Sequence, residues 1–347
     1  MHSSTFLDPN SDFTLDDRSI LVTGATGSFG RAFVGCVVKQ YKPKRLIIFS
    51  RDELKQFEMA QQFSDRDYPF LRYFIGDVRD ADRLELAMQG IDYVVHAAAL
   101  KQVPVAEYNP FECIRTNVHG AENVVRASMR SNVKRVIALS TDKAANPINL
   151  YGASKLASDK IFVAANALAG RGGTRFAVVR YGNVIASRGS VVPFFRKLID
   201  QGEKQLPITD PRMTRFFISL QQGVNVVLSS LSMMNGGELF VPKIPSAKIT
   251  DLAEAMAPGI KLDIVGIRPG EKLHEIMISE DDARMTLELP DRYVIEPSFD
   301  YWERRNYLHL GATRVDDGFR YASDTNPHWL TAPQIRQFLE MIDRGEL

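Results

Sequence analysis

A glycine-rich turn between an apolar run and a helical pattern constrains the fold of this chain most strongly. Residues 19–23 (Ser-Ile-Leu-Val-Thr) form an apolar run typical of a buried strand, and Gly24, Gly27 and Gly30 follow at three-residue intervals. An apolar helical pattern then begins near residue 32. Strand, glycine turn and helix in this order open a βαβ unit that binds a dinucleotide. The spacing is G-x-x-G-x-x-G rather than G-x-G-x-x-G.

The three glycines have separate roles in such a turn. The first permits the tight turn, the second lets the backbone approach a pyrophosphate, and the third lets the helix pack on the strand. The anion then lies at the helix N-terminus, where unpaired N–H groups and the helix dipole favour negative charge. The cofactor contacts predicted in this segment are Gly24, Thr26, Gly27, Ser28, Phe29 and Gly30.

The residues at the end of the second predicted strand help to distinguish an NADP site from an NAD site. The run 45–49 is followed by Ser50 and Arg51, with Lys55 one helical turn further on. An NAD site normally has a carboxylate at this point, whereas a hydroxyl and a guanidinium suit a 2′-phosphate. The sequence therefore favours NADP. NAD is the alternative, because the acidic residues at 52–53 could still reach a ribose.

Two further strand ends supply more of the predicted cofactor contacts. The residues after the run 73–75 would cap the adenine, and an alanine triplet after the run 93–96 provides small side chains where the backbone must pass close to the cofactor. A lysine follows this triplet and could face the nicotinamide or the substrate. These residues are Asp77, Val78, Ala97, Ala98, Ala99 and Lys101.

The alternation of strands and helices predicts the architecture. It indicates an α/β protein with a doubly wound parallel Rossmann sheet and right-handed crossovers, together with a smaller C-terminal substrate-binding lobe. Glycine, proline and basic residues interrupt the pattern after residue 182. We predict an N-terminal arm (1–18), a cofactor domain (19–182 plus about 213–248) and a nucleotide-sugar-binding lobe (about 183–212 plus 249–347).

Composition excludes several classes of function. The net charge is +1 with both signs dispersed, so neither nucleic acid nor a membrane is an expected partner. No apolar run approaches a membrane span and no signal peptide is recognisable, which predicts a cytoplasmic protein. Cys36 and Cys113 lie in apolar contexts and are expected to be reduced core thiols. The histidines lack metal-ligand spacing, so we predict no metal.

A tyrosine and a lysine form the first candidate catalytic group. Tyr151 and Lys155 are four residues apart, so on a helix both project from one face. A phenol beside an ammonium group has its charged form favoured and its pKa lowered. Such a tyrosine can take the proton of an alcohol while a hydride leaves the same carbon. Tyr151 and Lys155 are also predicted to contact the cofactor.

A second group precedes this pair. The buried run 135–139 leads into Ser140, Thr141, Asp142 and Lys143. Asp142 and Lys143 add an acid and a base that simple alcohol oxidation does not require. The two groups together indicate an oxidation that is coupled to a further proton transfer.

These motifs carry a family resemblance over roughly residues 17–330. The chain resembles the extended short-chain dehydrogenase/reductases, and among them the soluble inverting UDP-N-acetylglucosamine 4,6-dehydratases. These enzymes make the first intermediate of pseudaminic acid, a sugar used on bacterial flagellins. The most specific segments are 139–144 (Leu-Ser-Thr-Asp-Lys-Ala), 149–155 (Asn-Leu-Tyr-Gly-Ala-Ser-Lys), 180–184 (Arg-Tyr-Gly-Asn-Val) and 268–272 (Arg-Pro-Gly-Glu-Lys).

Two positions favour the soluble inverting branch. Relatives that retain the C5 configuration resemble Thr-Asp-Glu where this chain has Lys143 as the third residue, and larger membrane-anchored relatives place another residue at the position of Tyr151. A C5-retaining dehydratase and a nucleotide-sugar 4-epimerase remain alternatives. A catalytically silent NADPH-binding regulator is the alternative from another class.

The resemblance implies which residues serve each step of the reaction. Oxidation at C4 makes H5 an α-proton, so that water can be eliminated across C5 and C6. Tyr151, Lys155 and Thr141 would serve the oxidation, Lys143 would be the C5 base and Asp142 the acid for O6. These roles require the pKa of the lysine to fall and that of the aspartate to rise, and a direct ion pair would oppose both shifts. The two could exchange a proton as a coupled pair, so their roles could be reversed.

The resemblance also implies substrate contacts and partners. Asn183 would hold the sugar or diphosphate, Arg215 and Arg268 the diphosphate, and Glu271 the uridine ribose, with Lys101 shared between substrate and cofactor. A salt bridge is the alternative role for each arginine. The implied partners are UDP-N-acetylglucosamine and further copies of the chain in a homo-oligomer.

Overall fold

The structure is a computed structural model that describes residues 13–185, 187, 189–299 and 306–345. Strands and helices alternate along the first half of the chain. The strands are β1 (Ser19–Thr23), β2 (Arg45–Ser50), β3 (Leu71–Ile75), β4 (Tyr93–His96), β5 (Arg135–Thr141), β6 (Arg175–Tyr181), β7 (Asn183–Val184), β8 (Gln205–Ile208), β9 (Thr214–Ile218), β10 (Leu239–Pro242), β11 (Ser246–Lys248), β12 (Lys261–Ile264), β13 (Ile276–Ile278), β14 (Thr286–Glu288), β15 (Arg292–Ile295), β16 (Thr313–Arg314) and β17 (Tyr321–Ala322).

The helices follow the strands in the order that crossover connections require. They are α1 (Ser28–Gln40), α2 (Glu53–Gln62), α3 (Ala81–Met88), α4 (Val103–Tyr108), α5 (Pro110–Ile114), α6 (Gly120–Arg130), α7 (Leu150–Ala169), α8 (Val191–Asp200), α9 (Leu220–Met233), α10 (Ile249–Met256), α11 (Glu280–Ala283) and α12 (Ala332–Asp343). Short 3-10 turns cover Asp142–Ala144 and Tyr307–Leu310, and a π-helical turn covers Arg115–His119. None of the helices in the described residues is long and apolar enough to cross a membrane.

A ten-stranded sheet forms the centre of the molecule, in the order β16-β14-β15-β10-β6-β5-β4-β1-β2-β3. The seven strands from β10 to β3 pair in parallel. The strand order reverses between β1 and β4, and ligands of open α/β sheets bind in the crevice at such a switch point. The prediction of a doubly wound α/β Rossmann sheet is confirmed.

The C-terminal part of the chain differs from its predicted assignment. The predicted lobe includes residues 249–347, but β15 pairs antiparallel with β10, β14 with β15, and β16 with β14. Leu287 and Val294 of these strands are buried in the main core. A hairpin at this position covers the backbone edge that β10 would otherwise expose, which explains why these strands join the sheet.

A second hydrophobic cluster lies outside the main sheet. It brings together side chains of α8, β8, α10 and α12, including Phe195, Leu206, Leu252 and Phe338. These elements fall inside the ranges predicted for the lobe. The division of the chain into two domains stays a prediction.

The predicted N-terminal arm is only partly described. Residues 1–12 lie outside the described residues. Leu15 is fully buried in the main core, and the ring of Phe13 packs against Tyr93 with centroids 5.8 Å apart. Phe13 and Leu15, which lie within the predicted arm, therefore pack against the core of the sheet.

Candidate active site

The glycine turn has the geometry that a phosphate-binding turn needs. Gly24 has a φ of 64°, and a Cβ there would lie 2.8 Å from the Cα of Ala98. A Cβ on Gly30 would overlap the backbone of Ala25, so only glycine lets α1 pack this closely on the turn. Gly27 precedes α1 as its N-cap and supplies no capping side chain, and the first turn of α1 carries no acidic residue. Backbone N–H groups at this end can therefore donate to a pyrophosphate.

One cavity of about 1160 Å³ collects the residues predicted to contact the cofactor. It begins at the glycine turn and extends across the carboxyl ends of β2, β4 and β5. The predicted cofactor residues on its wall are Gly24, Thr26, Gly27, Ser28, Phe29, Gly30, Ser50, Arg51, Lys55, Asp77, Val78, Ala97, Ala98, Ala99, Lys101, Tyr151 and Lys155.

The end of β2 presents two cations that are already paired. The guanidinium of Arg51 lies 3.7 Å from the carboxylate of Asp77, and the ammonium of Lys55 lies 2.6 Å from that of Asp52. Ser50 is buried, and its hydroxyl oxygen accepts a hydrogen bond from Thr26 of the glycine turn at 3.1 Å. The side chains are sufficiently exposed to turn toward a 2′-phosphate, at the cost of these surface ion pairs.

The proposed catalytic residues stand on two elements packed against each other. β5 ends at Thr141, and the 3-10 turn Asp142–Ala144 follows it directly. α7 begins beside this turn, capped by Asn149. Gly152 lies against the carbonyl of Lys143, where a Cβ would not fit. This contact places the first turn of α7, which carries Tyr151, against the 3-10 turn Asp142–Ala144.

The surroundings of Tyr151 differ from the prediction. Burial raises the pKa of its phenol to about 12, although the charge of Lys143 and a hydrogen bond with Thr141 act in the opposite direction. Burial lowers the pKa of Lys155, and the carboxylate of Asp159 opposes that shift. The predicted lowering of the tyrosine pKa is wrong for this structure, because desolvation of the phenolate outweighs the nearby positive charge.

The ammonium group of Lys143 is held by three acceptors. Its Nζ lies 3.1 Å from Oδ1 of Asp142, 2.9 Å from Oε1 of Glu275 and 3.3 Å from Oδ1 of Asn183. Burial acts to lower the pKa of this lysine, but the two carboxylates outweigh it and raise the pKa above its usual value. The expected fall in the lysine pKa is therefore wrong for this structure, since the direct ion pair is present and a second carboxylate reinforces it.

Asp142 lies behind the cavity wall. Its side chain is fully buried, and Oδ1 accepts hydrogen bonds from Thr141 at 2.9 Å and from Lys143 at 3.1 Å. Oδ2 is buried without a hydrogen-bond partner among the described residues. Burial raises the pKa of this carboxyl despite the neighbouring lysine. The carboxyl can therefore exchange protons with the cavity through Thr141, which does border it.

The predicted substrate residues all border the same cavity, but they differ in exposure and in their contacts within the protein. Asn183 contacts Lys143, Arg268 is exposed, and Glu271 has Oε2 buried without a partner in the described structure. Arg215 donates from Nη1 to the carbonyls of Thr214 (2.7 Å) and Leu273 (3.0 Å). Its Nη2 also donates to the carbonyl of Lys272, and its Nε lies 3.8 Å from Oε1 of Glu275, so the salt-bridge alternative fits this arginine better than diphosphate binding.

Glu275 is a site residue that the sequence motifs do not predict. Its side chain is almost fully buried, borders the cavity and contacts Lys143. It ends a segment, residues 268–275, that we call the strap. Lys272 of the strap donates to the carbonyl of Ala145 at 2.6 Å, and Asn149 donates to the carbonyl of Gly270 at 2.8 Å. The motif 268–272 marked the strap, but no spacing rule connects Glu275 to a lysine on another element.

Comparison with known proteins agrees with this site. A family model described as polysaccharide biosynthesis protein matches residues 20–297. The UDP-N-acetylglucosamine 4,6-dehydratase (inverting) of Campylobacter jejuni serotype O:2 is 58% identical over 334 residues, which cover 95% of this chain and 98% of that protein. A Rickettsia akari protein named UDP-glucose 4-epimerase is 44% identical over 334 residues, covering 94% of this chain and 96% of that one.

A solved structure shows the same fold over nearly the whole chain. The X-ray structure of Pen from Bacillus thuringiensis superposes with a TM-score of 0.86 at 35% identity, covering 96% of this chain and 100% of that one. The resemblance predicted from the motifs is confirmed. The chain therefore belongs to the polysaccharide biosynthesis protein family and is a relative of the inverting nucleotide-sugar 4,6-dehydratases.

Proposed function

We propose that the protein is a C5-inverting UDP-N-acetylglucosamine 4,6-dehydratase. The observation that carries the proposal is the placement of Lys143 beside Tyr151 on one cavity wall, in a chain 58% identical to an inverting dehydratase. The product would be UDP-2-acetamido-2,6-dideoxy-β-L-arabino-hexos-4-ulose.

The glycine turn and the open N-terminus of α1 fit a dinucleotide, and we assign NADP in preference to NAD. Ser50, Arg51 and Lys55 would hold the 2′-phosphate, for which a hydroxyl and two cations are suited. When bound there, the nicotinamide supplies the hydride acceptor for C4 and the hydride donor for C6. The turn at Ala97–Ala99 would pass beside it, because these small side chains leave the backbone accessible.

The first half of the reaction needs a route for the C4 hydroxyl proton. Tyr151 is protonated near neutral pH, since burial raises its pKa to about 12. It can accept the substrate proton only as its own proton moves to a neighbour. Thr141 hydrogen-bonds with Tyr151 and donates to Asp142. Asp142 is the final acceptor in this route, because burial raises its pKa.

The second half is an elimination. Lys143 gives up its ammonium proton to solvent and then takes H5 as a neutral amine. The C5–H electron pair forms the C5=C6 bond, and O6 leaves as water with a proton from Asp142 relayed by Thr141. The proton that left the C4 hydroxyl is thereby returned to the leaving group. Lys143 keeps the C5 proton as an ammonium group, which its carboxylate neighbours stabilise. The product would form when C6 receives the hydride and C5 receives a solvent proton on the face opposite to Lys143, which inverts C5.

The wider setting follows from the resemblance. We infer a cytoplasmic homo-oligomer that supplies the first intermediate of pseudaminic acid for flagellin glycosylation. Substrate contacts are proposed for Lys101, Asn183, Arg268 and Glu271. The unpartnered Oε2 of Glu271 suits a ribose hydroxyl donor.

A UDP-sugar 4-epimerase is the second candidate, because relatives 44% identical carry the name UDP-glucose 4-epimerase. An epimerase uses the same tyrosine and lysine pair but does not remove H5. Incubation with UDP-N-acetylglucosamine and proton NMR of the product separates the two. A dehydratase gives a new C6 methyl signal, whereas an epimerase gives a C4 epimer that retains its C6 hydroxymethyl group.

A further inference from the structure

We propose that Glu275 is the positioning residue for the C5 base: its carboxylate fixes Nζ of Lys143 and sets the pH at which Lys143 can take the C5 proton. The inference rests on the proposed dehydratase function and deepens it. Glu275 belongs to none of the motifs that identify the reaction.

The geometry places Glu275 as the closer of the two carboxylates that hold Lys143. Oε1 lies 2.9 Å from Nζ, compared with 3.1 Å for Oδ1 of Asp142. Glu275 also borders the cavity, whereas Asp142 lies behind its wall. An ammonium group has three donors, and the two carboxylates and Asn183 accept all three. Nζ is therefore held in one place, with Glu275 on the cavity side.

The strap holds Glu275 itself. Lys272 and Leu273 accept from Arg215 through their carbonyls, and the backbone N–H of Glu275 donates to Oγ of Ser323 at 2.9 Å. Nε of Arg215 lies 3.8 Å from Oε1. Burial acts to raise the pKa of Glu275, but Lys143 and Arg215 outweigh it and lower that pKa, so the carboxylate stays ionised. Oε2 is buried with no partner in the described residues.

In this arrangement the charge of Glu275 controls the protonation of Lys143 without contacting the reacting atoms. Its negative charge favours the ammonium form of Lys143, which cannot take a proton. Removing that charge should make Lys143 neutral at lower pH, and an opposite charge at this range shifts a pKa by about 1 to 3 units. The charged and titratable groups that face Lys143 from the surrounding elements are Asp142, Tyr151, Arg215, Lys272 and Glu275.

The test compares E275Q, which keeps the shape and an acceptor oxygen but not the charge, with wild type. The matched control is E340Q on the exposed side of α12. In profiles of kcat/KM for dehydration, the limb where activity rises with pH should move about 1 to 3 units lower in E275Q. E340Q should not move it. A folded E275Q whose limb stays in place or moves higher overturns the proposal. If E275Q does not fold, E275D should move the limb in the same direction by less, and an unmoved limb overturns the proposal.

A second measurement does not depend on turnover. In protein labelled with ¹⁵N-lysine, the Nζ signal of Lys143 is the one lost in K143M. It should become neutral at lower pH in E275Q than in wild type, and equal titration contradicts the inference. Failure of wild type to form a 4-keto-6-deoxy product would refute the dehydratase proposal and, with it, the role of Lys143 as C5 base. Equal titration in a protein that does form this product refutes the role of Glu275 alone.

Discussion

Replacing Lys143 by methionine should damage stability and chemistry by separate, measurable amounts. The ammonium group lies between Asp142 and Glu275, whose side chains are 0% and 2% exposed. Removing it leaves two carboxylates sharing a buried site, and breaking a buried ion pair costs about 3 to 5 kcal/mol. The lysine is itself 22% exposed. Water can enter on that side, so we expect K143M to lose about 3 kcal/mol of unfolding free energy, the low end of the range.

Thermal unfolding measures the first effect. At roughly 2 °C per kcal/mol for a chain of this size, Tm of K143M should fall by about 6 °C. The control is K160M, the same substitution at an exposed lysine on α7. Surface changes of this kind stay within about 0.5 kcal/mol. A K143M protein as stable as K160M would show that the buried carboxylates do not depend on Lys143.

Solvent exchange measures the second effect. K143M should still oxidise C4 but lose removal of H5, lowering turnover by about two to four powers of ten. Deuterium wash-in at C5, followed by NMR in D₂O, should disappear, whereas K160M should exchange like wild type. If K143M exchanges H5 at the wild-type rate, Lys143 is not the base, and Asp142 or a bound water must take that role.

Three other substitutions test separate parts of the account. Tyr151→Phe should abolish both oxidation and dehydration, because it removes the relay for the C4 hydroxyl proton; product formation above a few per cent of wild type would contradict the relay. Arg51→Ala should weaken NADP binding by about 1.5 to 3 kcal/mol, as for a hydrogen bond to a charged group, and leave NAD binding nearly unchanged in titration calorimetry. Equal loss for both cofactors would make Arg51 structural. Gly30→Ala should force α1 away from Ala25 and weaken binding of both cofactors together, and wild-type affinity in this variant would show that the close packing is dispensable.

The local parts of the fold could be predicted because their determinants are adjacent in sequence. The strand, glycine turn and helix at 19–40 follow from apolar periodicity and glycine spacing, and the structure shows the positive φ and the close contact at Gly24. The strand ends that border the cavity could be predicted for the same reason. The hairpin of β14 and β15 could not, because its place depends on which sheet edge remains open once the parallel strands have assembled.

The electrostatics of the site could not be predicted from neighbouring residues alone. A pKa depends on burial and on charges from distant segments, and both act strongly here. Burial reverses the expected direction of the pKa shift for Tyr151, and the carboxylates of Asp142 and Glu275 together reverse it for Lys143. Arg215 shows the same limit, because backbone carbonyls of the strap occupy its donors. Types and positions of reactive groups could be predicted, whereas their protonation and partners required the folded structure.

The most direct test of the central claim is the isotopic and stereochemical outcome of one incubation. Wild-type protein is mixed with UDP-N-acetylglucosamine deuterated at C4, and the product is analysed by NMR. An inverting dehydratase gives a C6 methyl group that carries the deuterium from C4, and ring couplings of the L-arabino configuration at C5. A 6-deoxy product that keeps the D-configuration at C5 would contradict inversion. Recovery of a C4 epimer without a C6 methyl group would contradict dehydration altogether.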